Sequence, residues 1–235
     1  MVWNRVWAGN GMSIEKKLLG TTPPASGDTP EGVSFDGTND YLSRSSDLSG
    51  NADGKTFTFS CWVYLDPNSG GPGRIYEAAT DSSNRFYIAL YSWGGFEIVS
   101  YSGGTNILSH SNDSRISNSG WVHILMSLDM ADQGACKIYV NDVENTGSWA
   151  IFSSNADLPF AATKHNIVQN ALSSANRLKG RLAHVFLDHT YRDLSVESNR
   201  RLFIDSDGKP SDTIPSSPIL YLPMTDAATA GSNSG

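Results

Sequence analysis

The feature that most constrains this chain is strict two-residue alternation in its middle. Over Thr56 to Leu65, Phe57, Phe59, Cys61, Val63 and Leu65 fall on one side of an extended backbone, and Thr58, Ser60, Trp62 and Tyr64 fall on the other. A helix would scatter both sets, whereas a strand sorts them. Because each side carries large or apolar residues, this strand is expected to be covered on both faces.

Further extended runs follow at short spacing: Arg85 to Tyr91, Phe96 to Tyr101 and Thr105 to Ser109. They are joined through Trp93-Gly94-Gly95 and Gly103-Gly104, and glycine tolerates the positive φ that tight hairpin turns require. That reads as an antiparallel meander. Trp121 to Asp129, Cys136 to Asn141 and Arg181 to Asp188 continue the series, the second turning back through Asn141-Asp142. Only Ser195 to Asp205 has a helical pattern, with Ser195 as cap, Val196, Leu202 and Phe203 as a partial stripe, and Gly208 and Pro210 beyond its end. Many short strands with glycine-rich turns and no βα alternation give an all-β sandwich or jelly roll with one short helix.

The ends differ from this body. Residues 1–31 carry prolines at 23, 24 and 30 and read as an arm and linker, residues 32–210 as the sandwich, and 211–235 as a tail whose apolar run Ile219 to Leu222 forms an edge strand bounded by Pro218 and Pro223. Trp3 and Trp7 in the arm are large apolar rings that need cover. Packing on their own domain and docking on a neighbouring subunit both supply it, and the second makes the arm an assembly element.

Composition excludes several classes. With 39% hydrophobic and 17% charged residues the chain can build a core. A net charge of -7 with no Lys/Arg cluster argues against nucleic acid. No apolar run is long enough for a membrane span, and Met1 to Gly20 lacks a hydrophobic signal core, so neither a membrane nor conventional secretion is expected. Cys61 and Cys136 lie in strand-like runs and read as buried thiols rather than a disulfide.

Four segments in order resemble the concanavalin-like jelly-roll family that includes laminin-G-like domains: Val33-Ser34-Phe35-Asp36-Gly37-Thr38-Asn39-Asp40-Tyr41-Leu42, the Phe57 to Leu65 strand, Gly120-Trp121-Val122-His123-Ile124 with Lys137 to Asp142 after it, and Gly180 to Asp188. The stretches Arg192 to Ser195, Asn199 to Asp205, Gly208 to Pro210, Pro218 to Leu222 and Asn233-Ser234-Gly235 resemble the ending of such domains in tailed-bacteriophage structural proteins. The resemblance implies a non-enzymatic virion structural protein, a capsid decoration, fibre or tail-associated subunit, assembled in the host cytoplasm. Its partners would be other virion proteins and its own copies. The alternative is an adhesion module for host-surface glycans.

The same fold also hosts glycoside hydrolases, which need two converging carboxylates. The six glutamates form no Glu-x-Asp-x-Glu run; Glu77 with Asp81 reads as a solvated, loop-borne pair, and Glu97 has no acidic neighbour at i+2. Of the histidines, His123 and His184 read as structural, and neither zinc spacing nor a Gly-x-Ser-x-Gly elbow is present. No catalytic residue is assigned and no cofactor is required. Calcium is the one ion the resemblance implies, at Asp36 and Asp188; the competing reading makes Asp36 a turn residue and Asp188 a surface residue. For glycans, Trp93 is the expected platform, with Tyr91, Tyr101 and Asn106 beside it; the competing reading folds the Trp93 ring over the meander edge. Trp62 and Trp121 are expected in the core.

Overall fold

In the computed structural model, which describes residues 4–6, 30–66, 71–112, 120–225 and 230–232, alternation becomes pairing. The strands, in chain order, are β1 (Asn4–Val6), β2 (Val33–Asp36), β3 (Tyr41–Arg44), β4 (Thr56–Leu65), β5 (Gly73–Asp81), β6 (Asn84–Leu90), β7 (Phe96–Ser102) and β8 (Thr105–Asn112). They continue with β9 (Val122–Asp129), β10 (Lys137–Val140), β11 (Val143–Glu144), β12 (Ser148–Phe152), β13 (Lys164–Ile167), β14 (Lys179–Asp188) and β15 (Leu220–Leu222). β4 coincides with the alternating run that opens the argument.

Two antiparallel sheets result. The eight-stranded sheet runs β1-β3-β13-β5-β6-β7-β8-β12, and its central β5 to β8 are the meander. The seven-stranded sheet runs β11-β10-β9-β4-β14-β15. β2 shares the free flank of β14 with β15: Val33 to Asp36 pair with its first residues, Leu220 to Leu222 with its later ones. The tail run is thus an edge strand, as its flanking prolines require. At the other edge of the molecule Asn4 to Val6 pair with Tyr41 to Ser43 of the same chain. Trp3 and Trp7 lie outside the described residues.

Between the sheets sits one core. Phe57, Phe59 and Cys61 of β4 face Tyr76, Phe86 and Phe160 from the opposite side, and Phe57 and Phe86 meet edge to face at 5.1 Å. Each such ring, wholly removed from water, contributes roughly 2–3 kcal/mol. Cys61 and Cys136 are free and buried.

The outer face of the seven-stranded sheet is covered as well. Leu194, Phe203 and Ile204 pack there against Leu125, Tyr139, Phe186, Trp62 and Ala183. This cover explains a departure from the expected helix, which spans only Glu197–Arg200. Ser195 does not cap it, because its N–H and hydroxyl both donate to Asp193 Oδ1, at 2.9 and 2.6 Å. Leu202 and Phe203 leave the helix to dock on the sheet. Trp62 is buried in this outer layer, 3% exposed, as expected of a core ring, whereas Trp121, expected in the core too, packs beside it only half-buried.

Candidate functional site

With one sheet roofed, the outer face of the eight-stranded sheet is the candidate; its middle is buried, and its two ends, at Trp93 and at Tyr101, reach water. Register sets its membership. Ile88, Ile98 and Phe96 point into the core, so Arg85, Tyr87, Ala89, Glu97, Val99 and Tyr101 point outward, and on β5 so do Arg74 and Glu77.

At one end of the face the turn Tyr91 to Gly95 is pinned by Tyr91 N–H to Gly95 O at 2.8 Å and Gly94 N–H to Tyr91 O at 2.9 Å. Gly94 takes φ 93°, which glycine reaches without strain. The Trp93 indole lies flat on Tyr91, with ring centres 5.4 Å apart and planes 19° off parallel, yet it stays 48% exposed. Its other flank rests on Gly95, where a Cβ would meet the ring at 1.8 Å. The ring therefore folds against the turn and still presents a face to water. The Tyr91 hydroxyl donates to Glu97 Oε2 at 2.7 Å; burial and this carboxylate push the phenol up to about 12.

In the middle stands Arg74, 6% exposed. Its guanidinium is 3.1 Å from Glu77, 3.5 Å from Glu97 and 3.4 Å above the Tyr87 ring. Burial raises the Glu77 carboxyl above the usual carboxylate range, countered by Arg74 and the Ala171 amide. Glu77 is thus neither loop-borne nor solvated, as its sequence context indicated, but strand-borne and wholly buried under the 168–178 segment. Asp81 lies four residues on, at the end of the strand, capping its own turn through the Ser83 and Asn84 amides at 2.8 and 2.9 Å.

At the far end, Arg85, Tyr101 and Asn106 form one row across β6, β7 and β8. Tyr101 stands about 17 Å along β7 from the Trp93 end. The expected glycan residues therefore make two pairs, Tyr91 with Trp93 and Tyr101 with Asn106, joined on one face by Glu97, Arg74, Tyr87 and Arg85. Sequence reasoning missed those four. Their signal was the outward half of the same alternation, read only for its apolar half.

Asp36 and Asp188 are not brought together. Asp36 pairs with Lys179 at one end of β14, and Asp188 lies nine residues away, about 30 Å of strand. Asp36 Oδ1 accepts from Thr38 and Asn39 N–H at 2.6 and 3.1 Å, and Asp188 is ion-paired with Arg192 at 2.7 Å. Among the described residues no cluster of three His, Cys, Asp or Glu side chains could hold a metal. Beside Asp36 opens a groove of about 430 Å³ lined by Thr38, Pro72, Arg177 and Lys179, whose cations are already held: Arg177 by the Thr38 carbonyl and Gln169, Lys179 by Asp66.

Of the histidines, His110, His123 and His165 are buried and His184 and His189 half-buried. His123 Nε2 bonds the Ser60 hydroxyl at 2.8 Å; His165 lies between Tyr76 Oη and Asp47 Oδ1, each 3.0 Å away. Among the described residues no helix is long and apolar enough to cross a membrane.

A family model described as the concanavalin A-like lectin/glucanases superfamily matches residues 36–190. No curated protein matches the chain in sequence. Among solved structures it is similar to tailspike protein 2 of Escherichia coli bacteriophage CAB120, with a TM-score of 0.56 and 15% identity over 83% of this chain and 26% of that one. It is also similar to domain 4 of the extracellular arabinanase of Geobacillus stearothermophilus, solved in complex with arabinotriose, with a TM-score of 0.50 and 18% identity over 73% of this chain and 76% of that one. The chain spans about a quarter of the tailspike's length, and at these identities the likeness is one of fold.

Proposed function

Since the chain belongs to the concanavalin A-like lectin/glucanases superfamily, we propose that it recognises carbohydrate without cleaving it, on the outer face of the eight-stranded sheet. One observation carries this reading: an exposed aromatic platform, Trp93 on Tyr91, stands at one end of a strip of arginine, carboxylate and tyrosine side chains on the outer sheet face, whose middle lies under Ala171 and whose far end is half-exposed at Tyr101. Stacked rings with fixed polar groups alongside are how flat sites hold sugars, which offer an apolar face and a rim of hydroxyls. The arabinotriose complex of the similar arabinanase domain supports the choice of ligand class.

Catalysis is not part of the proposal, because the face holds no poised acid pair. Glu77 and Glu97 share Arg74, and Glu77 is sealed from water. A hydrolase needs one free carboxylate and one accessible acid. Display on a virion, with residues 1–31 as the anchoring arm, is the narrower setting that the likeness to a phage tailspike supports.

Retention of the purified chain on immobilised arabinan, galactan and polygalacturonate tests the reading. The expected result is retention on at least one polymer, weakened tenfold or more, about 1.4 kcal/mol, by Trp93→Ala with an unchanged melting temperature. Retention on none of them, retention indifferent to Trp93→Ala, or release of reducing ends would overturn it.

A further inference from the structure

Among the described residues no side chain offers the Arg85 guanidinium a hydrogen bond or an ion pair. Its Cζ lies 4.8 Å from the Tyr101 ring centre and 5.6 Å from that of Tyr87, so the guanidinium is clamped between two tyrosines on the outer face. Its Nε is buried and makes no hydrogen bond, and among the described residues no carboxylate comes within ion-pair distance of it. Glu77, the acid that feels its charge, is occupied by Arg74. Across Tyr101 in the same row, Asn106 Oδ1 is likewise buried without a partner.

Proteins rarely leave such groups unmatched, since a buried donor or acceptor without a partner costs about 1–3 kcal/mol. Two of them flank one half-exposed ring. The tyrosines hold the guanidinium through its faces and take none of its N–H donors, and a planar fork of N–H groups fits a carboxylate or sulfate through two parallel bonds.

From this juxtaposition we infer that the Arg85–Tyr101–Asn106 row is a subsite for the anionic group of an acidic glycan. Arg85 grips the acid group, Asn106 Oδ1 accepts from a neighbouring sugar hydroxyl, and the Tyr101 ring supports the sugar. The inference rests on the carbohydrate reading and names its ligand class: a uronate-bearing, sialylated or sulfated chain that runs from this subsite toward Trp93. The overall charge of -7 places the attraction in this row rather than in the field of the whole molecule.

The test compares the full chain with Arg85→Gln, Arg85→Lys and Trp93→Ala by calorimetry. The probes are oligogalacturonate, its carboxyl-reduced form, sialyllactose and a sulfated galactan oligosaccharide, and circular dichroism melts confirm folding. The expected result is a preference of tenfold or more for at least one acidic probe over the carboxyl-reduced one. Arg85→Gln should abolish that preference, and Arg85→Lys should restore it in part, because lysine keeps the charge and loses the fork. Sialyllactose and the sulfated probe distinguish carboxylate from sulfate. Equal affinity for acidic and reduced probes, or an acidic preference unmoved in Arg85→Gln, overturns the subsite. When Trp93→Ala still abolishes binding in that case, carbohydrate recognition survives; when no probe binds, the subsite falls, and retention on arabinan or galactan decides separately whether carbohydrate recognition falls with it.

Discussion

Acid should unfold this sandwich through its histidines. Burial is the first cause lowering His110, His123, His165, His184 and His189 below the ordinary imidazole value, His110 to about 4 and His123 to about 3. His123 is the cleanest case: it is wholly buried, its Nε2 is bonded to Ser60 and its ring lies 4.9 Å from that of Trp62, tilted by 30°. In the unfolded chain the same ring takes its proton near pH 6.5. Between that pH and the native value the unfolded state binds the extra proton, so stability is intact above pH 6.5 and is lost as pH falls toward 3. At pH 5 the ring has crossed about 1.5 units of this window, which costs about 2 kcal/mol at about 1.4 kcal/mol per unit. The other four histidines act in the same direction, against a typical total of about 5–15 kcal/mol. Urea titrations at pH 7, 6 and 5 for the full chain and His123→Gln measure this directly. Glutamine can bond Ser60 and does not titrate, so the variant should lose about 2 kcal/mol less between pH 7 and 5. Parallel losses in both proteins would show that His123 is not held neutral by the fold.

Two further outcomes follow from the outer face. Gly95→Ala drives a methyl into the Trp93 ring, whose indole must leave Tyr91; because that indole is half in water, stability should move by under about 1 kcal/mol in urea while glycan retention falls as far as in Trp93→Ala. Glu77→Ala strips Arg74 of its buried partner and should cost about 3–5 kcal/mol in the same titration, a loss below about 1 kcal/mol showing that Glu97 alone satisfies the guanidinium.

How much of this was legible depends on which residues carried the alternation. Thr56 to Leu65 was readable to the residue because one face is wholly apolar and the other carries two large aromatic rings, and the meander followed from its glycine turns. β5 was not readable, because Arg74 and Glu77 interrupt its apolar period, and what makes them tolerable inside a sheet is their pairing with each other and with Glu97 across two strands. β13 hid for a similar reason: Lys164, His165 and Asn166 look like a loop until His165 finds Tyr76 and Asp47. Motif matching found Asp36 and Asp188 equally well, but only strand register shows that β14 holds them at opposite ends. Trp93 and Tyr91 were legible as a pair because two residues and a glycine turn separate nothing in space.

The position of Arg74 explains why one fold can host both cleavage and recognition. A sheet face offers each outward side chain a neighbour about 5 Å away on the next strand, so two carboxylates on this face are easily brought to catalytic distance. Here the guanidinium stands between them, 3.1 Å from one and 3.5 Å from the other, and Ala171 and its loop close over the first. For this pair of carboxylates that arrangement ties both charges to Arg74 and closes the first from water, which is the ground for proposing recognition rather than cleavage on this face. The same pairing holds the charges at the centre of the face against one another, so on the proposed reading ligand selection passes to its two ends. One end is the Trp93 ring, proposed to take an apolar sugar face; the other is Arg85, proposed to take a negative charge.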